Sequence, residues 1–90
     1  MTKSLHCLVS GKVQGVFFRA WVLDQAVSLG VKGWVRNLDD SRVEILAQGP
    51  DAALEELRTR LYKGSTLSRV TGLDCSMLEH ETDYTDFSIR

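Results

Sequence analysis

The stretch Gly11-Lys12-Val13-Gln14-Gly15-Val16-Phe17-Phe18-Arg19 gathers the residue types that can hold an anion. Two glycines open backbone conformations closed to residues with a side chain, so successive N–H groups can point into one concavity. Arg19 falls in the first turn of a helical pattern, where a cation opposes the positive end of the helix dipole at a cost of roughly 0.3 to 1 kcal/mol. A bound anion removes that conflict, and a guanidinium can grip phosphate with a two-pronged set of charge-assisted bonds that Lys cannot make. Glycines at strand ends are also ordinary turn formers, and an Arg at a helix start can simply face water. The residues alone therefore leave an anion pocket and a plain turn both open. A Walker A loop is excluded, because no Gly-Lys-Ser/Thr ends the stretch, and a nucleoside triphosphate with magnesium is not expected.

The elements that must position these residues follow from the periodicity on either side. Leu5, Cys7 and Val9 alternate with His6, Leu8 and Ser10, as on a strand, whereas Phe18, Val22, Ala26 and Leu29 recur at helical spacing. Leu29-Gly30 marks the helix stop. Val31 to Asn37 reads as a strand, Leu38-Asp39-Asp40-Ser41 as a turn, and Arg42 to Gln48 as the returning strand of a hairpin. Gly49-Pro50-Asp51 introduces a second helix with Leu54, Leu57 and Leu61 on its inner face, closed by Gly64. Arg69 to about Leu78 is a strand with Leu73, Cys75 and Met77 on one side. His80 to Thr85 is polar and turn-like, and Asp86 to Arg90 carries a short last strand.

The expected fold class is thus α+β: a ferredoxin-like βαββαβ sandwich, an antiparallel sheet with two helices on one face and a short fifth strand. In that topology the first and second strands run the same way with the third between them. The turn after Ser10 and the end of the second strand at Asn37 then lie at one edge, so Arg19 and Asn37 can meet. The fourth strand lies beside the first and antiparallel to it, which makes Cys7 and Cys75 candidate cross-strand neighbours, in a register the sequence does not give.

Residues 1–90 make one small domain. The chain is 43% hydrophobic and 26% charged, with no apolar run approaching the roughly 18 residues of a membrane span and no secretory core at the N-terminus, so a cytoplasmic protein with no membrane partner is expected. Eleven basic against twelve acidic residues give a net charge of -1 with no basic block, which argues against nucleic acid. In a reducing compartment the two cysteines are expected as free thiols, small buried hydrophobes, with a bridge between neighbouring strands as the alternative.

The stretch from Gly11 to Arg19 resembles the first signature of the acylphosphatase family, and Gly33-Trp34-Val35-Arg36-Asn37, then Val43 and Gly49, is similar to its second. The resemblance implies hydrolysis of small acyl phosphates to carboxylate and inorganic phosphate with no metal and no cofactor, and the protein is expected to be a monomer. It implies that Arg19 binds the phosphoryl group and that the backbone N–H groups of Lys12, Val13, Gln14, Gly15, Val16, Phe17 and Phe18 hold its remaining oxygens. Asn37 is implied to position the attacking water.

Ser41 departs from the family pattern, which has Gly in that hairpin turn. A serine there meets a cost of the order of 1 kcal/mol if its φ is positive, unless Asp39 or Asp40 takes the unusual dihedral instead. His6 and His80 have no expected partners, Asp39 and Asp40 read as solvated turn formers, and the acidic run from Glu79 to Asp86 reads as a solvated loop. Trp21 and Trp34 are expected to pack rather than flank a substrate. The competing function is a non-catalytic ferredoxin-like module binding single-stranded RNA or sensing phosphate. The RNA-binding aromatics on its strands are missing from the sequence.

Overall fold

A computed structural model of the chain describes residues 2–80 and 82–90, the side chains of Thr2 and His80 excepted. The His80 imidazole considered above therefore lies outside the described side chains, as does Glu81 of the acidic run. The elements follow in the order β1 (Thr2–Lys12), α1 (Phe18–Leu29), β2 (Lys32–Asn37), β3 (Val43–Gln48), α2 (Asp51–Lys63), β4 (Arg69–His80) and β5 (Phe87–Ile89). They form one five-stranded sheet in the order β4-β1-β3-β2-β5. This is the ferredoxin-like α+β arrangement. Leu5, Cys7, Val9, Val35, Val43, Ile45 and Ala47 from the strands meet Phe18, Val22 and Ala26 of α1 and Leu54, Leu57 and Leu61 of α2 in one buried core. Alternation along the strands and the i, i+3, i+4 spacing of the helices thus bury one face of each element together.

β5 runs parallel to β2, so the sheet is mixed rather than wholly antiparallel. The reason is a chain reversal. β4 is antiparallel to β1, and the chain turns back after β4, so β5 takes the direction of β1 and β2. The connection is pinned where a solvated loop was expected: the buried Gln48 side chain donates to the Thr82 carbonyl at 2.8 Å and to Ser4 Oγ at 3.0 Å, and its Oε1 accepts the Tyr84 N–H at 3.0 Å.

The register of β1 and β4 places Cys7 directly opposite Cys75, and their sulfurs are bonded. Free thiols were the expectation from composition, which carries no register. At a cross-strand position of this kind the pleat brings two side chains together on one face. The ladder shifts between Ser10 and Gly11. Gly11, with φ 122°, is therefore a bulge residue inside β1 and not part of the turn, because a Cβ there would overlap the Arg69 carbonyl.

His6 also gains a partner that the strand pattern did not show. Its Nε2 lies 2.7 Å from Glu44 Oε2, and the other Glu44 oxygen accepts from Arg36 Nε. Burial alone would raise the Glu44 carboxyl, but the bonds from His6 and Arg36 outweigh it and hold the group below its ordinary range. On the same face Trp34 is buried, donates to the Tyr84 hydroxyl at 3.2 Å and is covered by the guanidinium groups of Arg36 and Arg90. It packs within the fold, as expected, and offers no exposed stacking platform.

Candidate active site

The β1–α1 turn begins where β1 parts from β3. Pairing of those two strands runs to Val9 and Val43, and the last residues of β1 pair with β4 alone. Val13 then turns inward to the core, with its N–H bonded to the Gly11 carbonyl at 3.1 Å. Two residues of the turn are left-handed: Gly15 with φ 73°, and Phe17 with φ 61°. Glycine takes that conformation freely, whereas a bulky aromatic does so at a cost of about 1 to 2 kcal/mol. Phe17 is also 80% exposed. Among the described residues, no acceptor takes the backbone N–H groups of Gln14, Gly15, Val16 or Phe17. They sit at the start of α1, which has no side-chain cap and no acidic residue in its first turn. The result is a cluster of unspent donors at the positive end of a helix.

Phe18 anchors this turn from below. Its ring is buried and packs against Trp21 with centroids 5.3 Å apart. The next residue, Arg19, is thereby rotated out of the core to the rim of a cavity of about 280 Å³, lined by Val13, Gly15, Phe17, Phe18, Arg19, Ala20, Asn37 and Ile89. Arg19 Nη1 donates to the main-chain oxygen of Arg90 at 3.4 Å, a long bond that leaves most of the guanidinium's donors available. Asn37 ends β2 two residues beyond the core residue Val35, so the strand's alternation turns it toward the helix side.

Arg19 and Asn37 are therefore brought to one cavity, together with Val13, Gly15, Phe17 and Phe18. Lys12, Gln14 and Val16 do not line it. Lys12 is the last residue of the β1–β4 ladder, opposite Arg69, and Val16 faces a smaller hollow of about 210 Å³ with Phe17, Trp21, Ser65, Thr66 and Leu67. Ala20 and Ile89 were missed from sequence. Ala20 follows from the helical turn, but Ile89 arrives only through the parallel pairing of β5 with β2, for which no sequence signal exists.

The hairpin that carries Asn37 closes through Leu38 N–H to the Arg42 carbonyl at 2.8 Å and Ser41 N–H to the Leu38 carbonyl at 3.3 Å. Ser41 itself takes the positive φ, 77°, so the steric cost expected of it is met and not transferred to Asp39 or Asp40. Asp40 is drawn below its usual carboxylate range by the Arg42 N–H and guanidinium bonded to it at 3.1 and 2.8 Å. It is a turn former, as expected.

The family model for acylphosphatase matches residues 5–89. An acylphosphatase of Nitrosococcus oceani is 48% identical over 79 residues, covering 88% of this chain and 89% of the relative. One of Methylococcus capsulatus is 42% identical over 97% of this chain and 95% of its own. The crystal structure of acylphosphatase from Bacillus subtilis superposes with a TM-score of 0.93 at 39% identity, over 98% of each chain. With this fold, this cavity and relatives matched over nearly their whole length, the chain belongs to the acylphosphatase family, hydrolases that split the acid anhydride of acyl phosphates.

Proposed function

We propose that the phosphoryl group of a small acyl phosphate sits in the cavity between the β1–α1 turn and the end of β2. The N–H groups of Gln14 to Phe18 and the Arg19 guanidinium hold its oxygens, and Asn37 orients the attacking water. The observation that carries this reading is the convergence of Arg19 and Asn37 on one cavity whose wall presents unspent backbone donors.

The chemistry suits such a sparse site. Water oxygen bonds to phosphorus, and the bond from phosphorus to the acyl oxygen breaks with its electron pair leaving on the carboxylate. The water's proton ends on phosphate or solvent. The leaving acid has a pKa of roughly 4 to 5, so no general acid is needed. Phosphoryl transfer relies on positioning and on stabilising the equatorial oxygens, which backbone donors and one Arg supply. The Asn37 amide is no base, but its hydrogen bond to water in line with the leaving group removes part of the entropic barrier. The reaction needs no metal, and the proposed setting is a cytoplasmic monomer acting on a diffusible substrate without nucleic acid. A net charge of -1 supports the last point.

The test is phosphate release from benzoyl phosphate by the purified protein and by Arg19→Ala, with and without a chelator. Loss of both turnover and phosphate inhibition in Arg19→Ala is expected, with no effect of chelation. Full turnover in that variant would overturn the reading.

A further inference from the structure

We propose that Gln14 is a positioning residue for the hydrolytic step, acting through Asn37; this rests on the water-orienting role given to Asn37 above. The Gln14 side-chain amide donates to the Leu38 carbonyl at 2.8 Å and to the Arg42 carbonyl at 2.9 Å. Both partners are pure acceptors, so only the nitrogen end of the amide fits, and both of its protons are used. Those carbonyls are the ones that close the hairpin after Asn37, accepting Ser41 N–H and Leu38 N–H. Gln14 occupies the second lone pair of each.

What this does follows from the strand pairing. β1 and β3 stop pairing at Val9 and Val43, so the turn that carries the phosphoryl donors and the hairpin that carries Asn37 diverge at the site end of the sheet. Among the described residues, the two Gln14 bonds are the hydrogen bonds that join residues 13–17 to residues 38–42. The backbone of Gln14 lies between Val13 and Gly15, which line the cavity, and its side chain is bonded to Leu38, the residue next to Asn37. Beyond the ladder that pairs Asn37 with Val43 and Val43 with Val9, Gln14 is thus the side chain that ties the two segments on which the separation of phosphorus from attacking water depends. The hairpin needs the brace, because Ser41 holds a left-handed conformation that a β-turn of other geometry would relieve.

The experiment compares Gln14→Met, which keeps the length and loses both donors, with Gln14→Ala, each alone and combined with Asn37→Ala, in benzoyl phosphate hydrolysis and in inhibition by inorganic phosphate. A misplacement of the water is expected to lower kcat by about 10- to 100-fold in folded Gln14→Met. KM and phosphate inhibition stay unchanged, and the substitution has no further effect once Asn37 is Ala. Unchanged kcat in both Gln14 variants beside a crippled Asn37→Ala overturns the inference alone. So does an equal fall of kcat in the Asn37→Ala background, or a loss of phosphate inhibition that matches the loss of kcat. Full turnover in Asn37→Ala itself overturns the water-orienting role, and the inference with it.

Discussion

Cys7 and Cys75 face each other across the β1–β4 ladder with their sulfurs bonded and their Cα atoms 4.1 Å apart. The bridge spans a sequence separation of 68, so in the chain-entropy account it restricts the unfolded chain by about 4 kcal/mol. Reductant is therefore expected to lower the urea midpoint substantially, and Cys7→Ala with Cys75→Ala to reproduce the reduced protein. Neither cysteine lines the cavity shared by Arg19 and Asn37, so turnover under native conditions should be the same in both redox states. Two titratable thiols in protein never exposed to reductant would refute the bridge.

Ser41→Gly relieves the positive φ of the hairpin turn. Glycine adds unfolded-state entropy that offsets part of the gain, leaving a net stabilisation of about 0.5 to 1 kcal/mol. Urea unfolding checks this, and a lower midpoint in the variant counts against it. Turnover should not fall.

Arg19 and Asn37 should separate in kinetics. In the proposed roles Asn37→Ala removes an interaction with the water alone, so kcat is expected to fall by about 100-fold or more while phosphate inhibition persists. Arg19→Lys keeps a charge but loses the planar fork, so phosphate inhibition should weaken along with kcat. Competitive inhibition measured at several phosphate concentrations distinguishes the two patterns.

Glu44 links stability to pH. Its folded-state pKa lies below the ordinary value of 4.5, so its stabilising contribution is complete above that value and is lost as pH falls through the folded-state value. Glu44→Gln, which gives up the charged bonds to His6 and Arg36, should cost about 1 to 3 kcal/mol at pH 7. The gap between the variant and the parent should close toward pH 3. Denaturant melts at the two pH values test it, and a gap that widens in acid would be the wrong sign.

Much of the fold was legible because it rests on local patterns. The alternation of Leu5, Cys7 and Val9, the helical recurrence of Phe18, Val22 and Ala26, and Leu54, Leu57 and Leu61 on α2 are all buried as their spacing requires. Gly30 and Gly64 end the helices where they stand in the sequence. The meeting of Arg19 with Asn37 was legible one step further on, since topology alone carries the two strand ends to the same end of the sheet.

The chemistry of single side chains across the sheet was not legible in this way. Neither the partner of His6, nor the bonding of Cys7 to Cys75, nor the arrival of Ile89 at the cavity is written in any local period. Each depends on which residue of one strand stands opposite which residue of another, and a shift of register by one would exchange the faces. Gln14 shows the same division most plainly, because its place in the turn was evident while the two carbonyls it reaches belong to a hairpin far along the chain.

By itself, then, the sequence determined the elements, their order and the residue types able to hold a phosphate, because helical and strand periods and turn residues act over a few neighbours. Only the tertiary structure decided the register, the bulge at Gly11, the left-handed Phe17 and Ser41 and the brace from Gln14 to the hairpin. Those are settled by packing and hydrogen bonding between segments distant in the chain, where many local conformations are close in energy and the contacts choose among them.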